Sequence, residues 1–315
     1  MQITNEQRIK EKALSLGFHA CGITSVPVFD KESNALTAWI ENNYHAQMNF
    51  MTQHGEKRKK PALLFDGLKS VIVVLLNYQN PTYLSQKKSN YSFVQYALGK
   101  DYHIVIKEKL DKLSQYLVSL FPQAHTRSFV DTAPIFEKAF AAQAGLGWIG
   151  KNTLLITPKG SQFFIGEIFT TVELQSDSPF SGVDCGSCNK CINACPTNAL
   201  KQPYLLDANR CLSYQSIERK QIKWDKSLEP FVYPFMYGCD ICQQVCPFNT
   251  VESNALIPEF TIKNELLSYN DTDWEQLTEE DFQRIFSDSA VKRIGYLKFM
   301  ENVKVAKQMK IKKET

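Results

Sequence analysis

The sequence predicts a mixed α+β or α/β domain, followed by a small cysteine-rich module and a short helical C-terminus. Three observations carry this. Helix-spaced and strand-like apolar segments alternate through about residue 175, turn formers gather at Gln175-Ser176-Asp177-Ser178-Pro179, and eight of the nine cysteines fall between Cys185 and Cys246. With 315 residues and 43% hydrophobic content, the chain can bury a main core plus a smaller one. The expected divisions are 1–175, 176–255 and 256–315.

In order along the chain, residues 5–17 have helical spacing at Ile9, Ala13, Leu14 and Leu16, and the apolar run to Ile23 reads as a first strand. A second helical pattern surrounds Leu36, Trp39 and Ile40. Tyr44 to Pro61 then turns polar and basic before Ser70-Val71-Ile72-Val73-Val74-Leu75-Leu76, a buried strand. Val105, Leu110, Leu113, Leu117 and Leu120 mark a long amphipathic helix from Tyr102 to Leu120. Ser128-Phe129-Val130 predicts a strand that ends in Asp131-Thr132-Ala133-Pro134. A helix over 135–144, a Gly-rich turn and strands at Thr153–Thr157 and Phe163–Val172 complete the first domain. Beyond Asn249 come a loop, an acidic helical stretch (Asp271 to Asp281) and a basic tail.

No run approaches the roughly 18 apolar residues of a membrane span, and the start, Met1 to Glu6, lacks a charged region followed by an apolar one, so a cytoplasmic protein is expected. A net charge of +3 does not by itself announce a nucleic-acid binder. The tail is more telling: Lys292, Arg293, Lys298, Lys304, Lys307, Lys310, Lys312 and Lys313 face only Glu301 and Glu314. Lys57, Arg58, Lys59 and Lys60, with Tyr44 and Phe50 nearby, form a second candidate surface for nucleic acid.

Cytosolic thiols stay reduced, so nine cysteines point to metal or redox chemistry rather than a disulfide framework. Cys185-x2-Cys188-x2-Cys191-x3-Cys195-Pro196 has bacterial-ferredoxin spacing, in which three cysteines hold one 4Fe-4S cluster and the fourth reaches the other. Cys211 with Cys239-x2-Cys242-x3-Cys246-Pro247 repeats the motif with its first cysteine displaced upstream. Pseudo-two-fold logic assigns Cys185, Cys188, Cys191 and Cys246 to one cluster, and Cys195, Cys211, Cys239 and Cys242 to the other. Structural zinc is the competing reading, but zinc sites do not ask for the x2, x3 and Cys-Pro pattern in both halves. Ile192, Ala194, Ile241 and Val245 would shield the sulfurs, and low potentials are expected only if backbone N–H groups compensate. Cys21, in an apolar stretch, is expected to be a buried core thiol.

Gly145-Leu146-Gly147-Trp148-Ile149-Gly150 spells G-x-G-x-x-G but follows a helix and leads into a strand, the reverse of the dinucleotide-binding order. The glycines are expected to end a helix and to let backbone approach a bulky ligand. Asn152 after Lys151 argues against a P-loop. Asp131, at a strand end, admits two readings: a proton donor with a raised pKa, or an N-cap with Pro134 in the first turn.

Several ordered motifs together resemble the epoxyqueuosine reductases, cobalamin-dependent iron-sulfur enzymes of queuosine biosynthesis. They are Val130-Asp131-Thr132-Ala133-Pro134, Gly147 to Asn152, Cys185 to Pro196, Cys211-Leu212-Ser213-Tyr214, Tyr237 to Pro247, Tyr96 to His103, and Gly160 to Glu167. The resemblance runs over nearly the whole chain. It implies a nitroreductase-like, cobalamin-binding first domain related to reductive dehalogenases. It also implies reductive loss of the epoxide oxygen of epoxyqueuosine at the tRNA wobble position, through Co(I) cobalamin fed by two 4Fe-4S clusters. Asp131 matches the family's acid. Arg58, Tyr96, Asp101, His103, Asp131, Lys151, Asn152, Ser161 and Tyr214 are the expected cofactor-binding residues. An external low-potential donor and a monomer are also expected. Two features depart from the family: the chain stops at Thr315 without the helical-repeat extension of many members, and Phe248 stands where Trp is common. A reductive dehalogenase and a non-catalytic electron carrier are the alternatives; the first is disfavoured by the basic surfaces and lack of an export signal, the second by the large first domain.

Overall fold

The computed structural model describes residues 3–250 and 257–314. The expected boundary between 255 and 256 and the first two residues of the chain lie outside them. At the centre is a four-stranded sheet made of β1 (Ala20–Thr24), β2 (Ser70–Asn77), β3 (Thr126–Phe129) and β4 (Phe163–Thr170). Its order is β1-β2-β4-β3, and every neighbouring pair is antiparallel. The first domain therefore falls on the α+β side of the expected class.

β2 is an unbroken apolar run because both faces are covered, and its side chains alternate between two cores. Ile72, Val74 and Leu76 pack with Ile9 and Ala13 of α1 (Asn5–Ser15) and with Val105, Ile106, Leu110 and Leu113 of α3 (Tyr102–Leu120). Val71, Val73 and Leu75 pack on the opposite face with Phe140 of α4 (Glu137–Gln143), Phe29 and Phe169. Phe29 precedes α2 (Asp30–Glu41), whose residues are only partly buried. A Thr4–Gln7 capping box opens α1, and the Asp101 carboxylate caps α3 by accepting the His103 N–H at 3.0 Å. Cys21 packs at the edge of the first core, and burial pushes its thiol up to about 12.

The glycine-rich turn ends α4, as expected, with Gly145 at φ +75°. What approaches Gly147, however, is protein backbone: a Cβ there would lie 2.1 Å from the Ile156 carbonyl oxygen. The expected bulky ligand is replaced by the partner strand of a small hairpin, Trp148–Ile149 with Leu155–Ile156.

A third core joins part of the first domain to the cysteine module and the C-terminal helices. Tyr83, Tyr91 and Phe93 pack with Leu212, Met236 and Tyr237 and with Trp274, Phe282, Phe286 and Phe299. The C-terminal helix α5 (Tyr296–Glu314) buries Phe299, Val303, Val305 and Ala306 in it. Lys298 is also buried, donating to the carbonyls of Gln215 (2.9 Å) and Arg219 (2.7 Å).

Candidate active site and cluster module

A cleft of about 1380 Å³ opens at one end of the sheet. Trp39, Tyr44, Met48, Phe50 and Met51 line one wall, Tyr78, Tyr96, Tyr102, Phe163 and Phe164 the floor, and the loop Asp131–Phe136 another wall. The hairpin tip Gln202-Pro203-Tyr204 closes it from the cysteine module. This is larger than a drug-sized pocket, and its aromatic walls suit a broad, flat, largely apolar molecule. Arg58 is the buried charge in it: at 7% exposure it has no carboxylate partner among the described residues, and its Nη1 has no hydrogen bond. Its Nη2 reaches the Phe50 carbonyl at 3.4 Å, and burial lowers its pKa. Such a guanidinium invites a polar group from an occupant of the cleft.

Asp131 is the focus of the polar groups. Its backbone is left-handed, φ +56°, and its N–H donates to Glu137 Oε1 at 2.6 Å. Asp131 Oδ2 accepts from the Tyr102 hydroxyl and lies 3.5 Å from His103 Nε2, while His103 Nδ1 contacts Asp101 Oδ1 at 2.8 Å. Because α3 begins at Tyr102, its first turn presents Tyr102 and His103 to the loop. The N-cap reading of Asp131 fails, since α4 begins at Glu137 after Phe136.

Nor is the Asp131 carboxyl raised. The His103 hydrogen bond outweighs burial and, with Tyr102, holds it below the usual carboxylate range. Burial opposes charge on His103, but hydrogen bonds to Asp101 and Asp131 prevail and push it up to about 9. Near neutral pH the proton of this group therefore sits on the imidazole. Asp131 is open to the cleft yet ringed by protein, so solvent reach and a burial penalty coexist there. Behind it, burial followed by the Asp131 charge raises Glu137 to about 8, and burial followed by Glu137 raises the fully buried Glu167.

The remaining expected residues divide. Arg58 and Tyr96 line the cleft, and Asp101 and His103 stand behind Asp131. Lys151, Asn152, Ser161 and Tyr214 do not line it. Lys151 Nζ donates to the Gly186 carbonyl at 2.7 Å and to Asn189 Oδ1 at 3.1 Å. Ser161 bonds Gln243 and Asn249, and the Tyr214 hydroxyl accepts from Gln47 N at 3.0 Å. Asn152 is buried beside the hairpin, its Oδ1 accepting from Leu154 N at 3.2 Å. Three of these four thus tie the first domain to the cysteine module. Sequence reasoning assigned no role to Tyr102, Glu137 or the 202–206 hairpin; the signal that could have found Tyr102 was its place in the Tyr96–His103 motif, directly after Asp101.

None of the nine cysteines is in a disulfide. Their electrostatic neighbours fall into the two expected quartets: Cys191 and Cys246 feel Cys185, and Cys246 feels Cys188, whereas Cys239 and Cys242 feel Cys211 and Cys195. The short helices Lys190–Ala194 and Ile241–Gln244 pack together, which brings Cys246 to the first quartet and Cys195 to the second. Among the described residues no three His, Cys, Asp or Glu converge as ligands of one metal ion would. A four-iron cube, held by four separate thiolates, does not require that. Backbone N–H groups point at the sulfurs: Ala199 N lies 3.3 Å from Cys195 Sγ, and amides of Ser213 and Tyr214 serve Cys211, Ile241 serves Cys239, and Phe248 and Asn249 serve Cys246. These are the compensating donors that shielded clusters require.

The basic segments are less free than their composition suggests. Lys59 pairs with Asp30 at 2.8 Å, and Arg58 turns into the cleft. In the tail Arg293 pairs with Glu218, Lys304 with Glu301, Lys307 with Glu275 and Lys310 with Asp271. Lys292, Lys312 and Lys313 have no carboxylate partner among the described residues.

Two family models match: "Epoxyqueuosine reductase QueG, DUF1730" over residues 58–132, and "4Fe-4S double cluster binding domain" over 184–249. The second covers all eight clustered cysteines, so the module holds two 4Fe-4S clusters rather than zinc. An epoxyqueuosine reductase of Cellulophaga algicola is 40% identical over 296 residues, 94% of this chain and 95% of its own length. One of Escherichia coli is 37% identical over 305 residues, 95% of this chain and 80% of its own length. A crystal structure of epoxyqueuosine reductase with an epoxyqueuosine-modified tRNA-Tyr stem loop superposes with TM-score 0.86 at 30% identity, covering 96% of this chain and 80% of that one. The enzyme from Streptococcus thermophilus gives 0.87 at 28% identity, covering 96% and 80%. Full-length similarity, a shared fold and the paired cluster module agree, and the chain belongs to the epoxyqueuosine reductases, a family of oxidoreductases.

Proposed function

We propose that this chain removes the epoxide oxygen of epoxyqueuosine in the wobble position of tRNA to give queuosine, with cobalamin seated in the cleft and the two clusters supplying electrons. The observation that carries this reading is the Asp131 carboxylate, open to an aromatic cleft that the cluster module helps to wall. Volume, apolar walls and the unsatisfied Arg58 Nη1 all fit a corrin. Arg58 and Tyr96 would hold it, with Asp131, Asp101 and His103 beside it. Lys151, Asn152, Ser161 and Tyr214 act through the placement of the surrounding loops. When bound, cobalamin supplies a strongly reducing, nucleophilic cobalt.

The chain's own part is proton supply and placement. Loss of the oxygen as water takes two electrons from the clusters and two protons; the first proton starts on His103 Nε2, held by Asp101 at Nδ1, and the second follows once His103 is reprotonated from solvent. Asp131 Oδ2, 3.5 Å away, takes the proton as negative charge develops on the substrate oxygen and delivers it. Tyr102 orients the same carboxylate through its hydroxyl. In a Bacillus subtilis relative a catalytic aspartate loop swings out of the active site, which supports a working loop at Asp131. The tRNA partner follows the stem-loop complex of a relative, and a tRNA substrate suits the cytoplasm. No described helix is long and apolar enough to cross a membrane. An external low-potential donor and a monomeric enzyme complete the reading.

The deciding test is anaerobic reconstitution with iron, sulfide and cobalamin, then nucleoside analysis of epoxyqueuosine-tRNA after incubation with a strong reductant. Wild type should form queuosine, and Asp131→Ala should keep its iron and corrin spectrum but lose turnover. Unchanged epoxyqueuosine with the fully loaded wild type would reject the activity; wild-type rates in the variant would remove Asp131 from it.

A further inference from the structure

The loop that carries Asp131 is tied to the rest of the molecule at very few points. Thr132 N bonds Val130 O at 2.5 Å and Ile135 N bonds Ala133 O at 2.8 Å, both local closures. The far end of the loop is anchored by packing, with Ile135 buried in the core and Phe136 edge-on to Phe29, whereas at its exposed end, Asp131 and Thr132, the outward hydrogen bonds among the described residues are made by Asp131 alone. Tyr102 and His103 engage the carboxylate, the very group that must be given up to a substrate. Glu137 engages the backbone N–H, at 2.6 Å, and that bond does not compete with chemistry.

Glu137 is well placed for this. It opens α4, which is anchored to the sheet by Ala139, Phe140 and Ala141, at 5%, 0% and 0% exposure. Its carboxyl is thus fixed relative to the core, whereas Asp131 and Thr132 are exposed. Asp131 adopts a left-handed backbone, φ +56°, a region Asp tolerates better than most non-glycine residues, and in that conformation its N–H is aimed at the Glu137 acceptor.

We propose that Glu137 is a positioning residue: its carboxyl latches the Asp131 loop in the inward position by accepting the Asp131 backbone N–H, and release of that bond lets the loop leave the cleft. This rests on Asp131 being the working carboxylate. The latch governs how often the loop is in place, not whether tRNA binds. Loss of it should therefore appear in kcat and leave the KM for tRNA unchanged.

The test uses cluster- and cobalamin-loaded enzyme and two readouts, steady-state turnover of epoxyqueuosine-tRNA and amide exchange of the peptide 129–136 by mass spectrometry. Glu137→Ala should lower kcat about a hundredfold, as displacement of a working group by an ångström does, and should speed exchange across the loop. Glu137→Gln keeps an acceptor oxygen in place and should restore both. Glu137→Asp withdraws the acceptor by one methylene with little loss of volume, and should behave like Glu137→Ala even if that variant does not fold. Exchange at the wild-type rate in the Ala or Asp variant, or a Gln variant as impaired as Ala, overturns the latch. Faster exchange with undiminished turnover in Glu137→Ala, together with an active Asp131→Ala, leaves the latch standing and refutes the role of Asp131 instead.

Discussion

At Asp131, two carboxylates and an imidazole share one small space, and their order decides where the proton rests. His103 is held above its ordinary 6.5, at about 9, so its contribution to stability is whole below pH 6.5 and is lost as pH rises through 9. Asp131, held below 3.8, behaves oppositely: its contribution is present above pH 3.8 and is lost as pH falls through its lowered value. His103→Gln should therefore destabilise the protein near neutrality and match wild type progressively above pH 9, read as urea midpoints across pH 6–10. In the proposed reaction this proton is consumed in turnover, so wild-type rate should decline as pH rises through about 9. Rates that stay flat to pH 10 would move the proton source elsewhere. None of this could be read from one dimension: Asp131 stood out at a strand end, but its depressed pKa comes from His103, 28 positions upstream.

At the level of elements, the apolar patterns located the strands and helices well because each reports a face that must be buried. Ser70–Asn77 and Tyr102–Leu120 fall within a residue of expectation for that reason. Pairing direction is not in the pattern, since a run covered on both faces looks the same in parallel and antiparallel sheets. The glycine turn shows the same limit. Its role in ending α4 was legible from position, whereas the strand backbone packed against Gly147 was not. Gly147→Ala should cost about 1–3 kcal/mol through overpacking against Ile156. Chemical denaturation checks this, and an unchanged midpoint would mean that the hairpin yields freely.

Taken whole, the molecule is knit by a core that draws on residues 83–98, 212–237 and 266–306. Trp274, 1% exposed and edge-on to Phe93 and Phe299, lies at its centre. Trp274→Ala should cost about 3–5 kcal/mol. Because the same core supports Leu212 and Tyr237 beside the cluster cysteines, the visible cluster absorbance and the far-ultraviolet helix signal should disappear in one denaturation step. Two separated steps would show that the C-terminal segment folds apart from the module.

The cysteine spacing by itself pointed to two clusters and led us to propose ligands shared between the halves, because a four-iron cube constrains sequence distance directly. The ordered motifs likewise marked the family. What only the tertiary structure decided is the company each motif residue keeps: that Lys151, Ser161 and Tyr214 fasten domains together instead of lining the cleft, that Lys304, Lys307 and Lys310 of the tail are paired with carboxylates, and that His103 rather than Asp131 holds the proton. Ionisation and contact depend on through-space neighbours a few ångströms away. Composition and periodicity do not encode those distances.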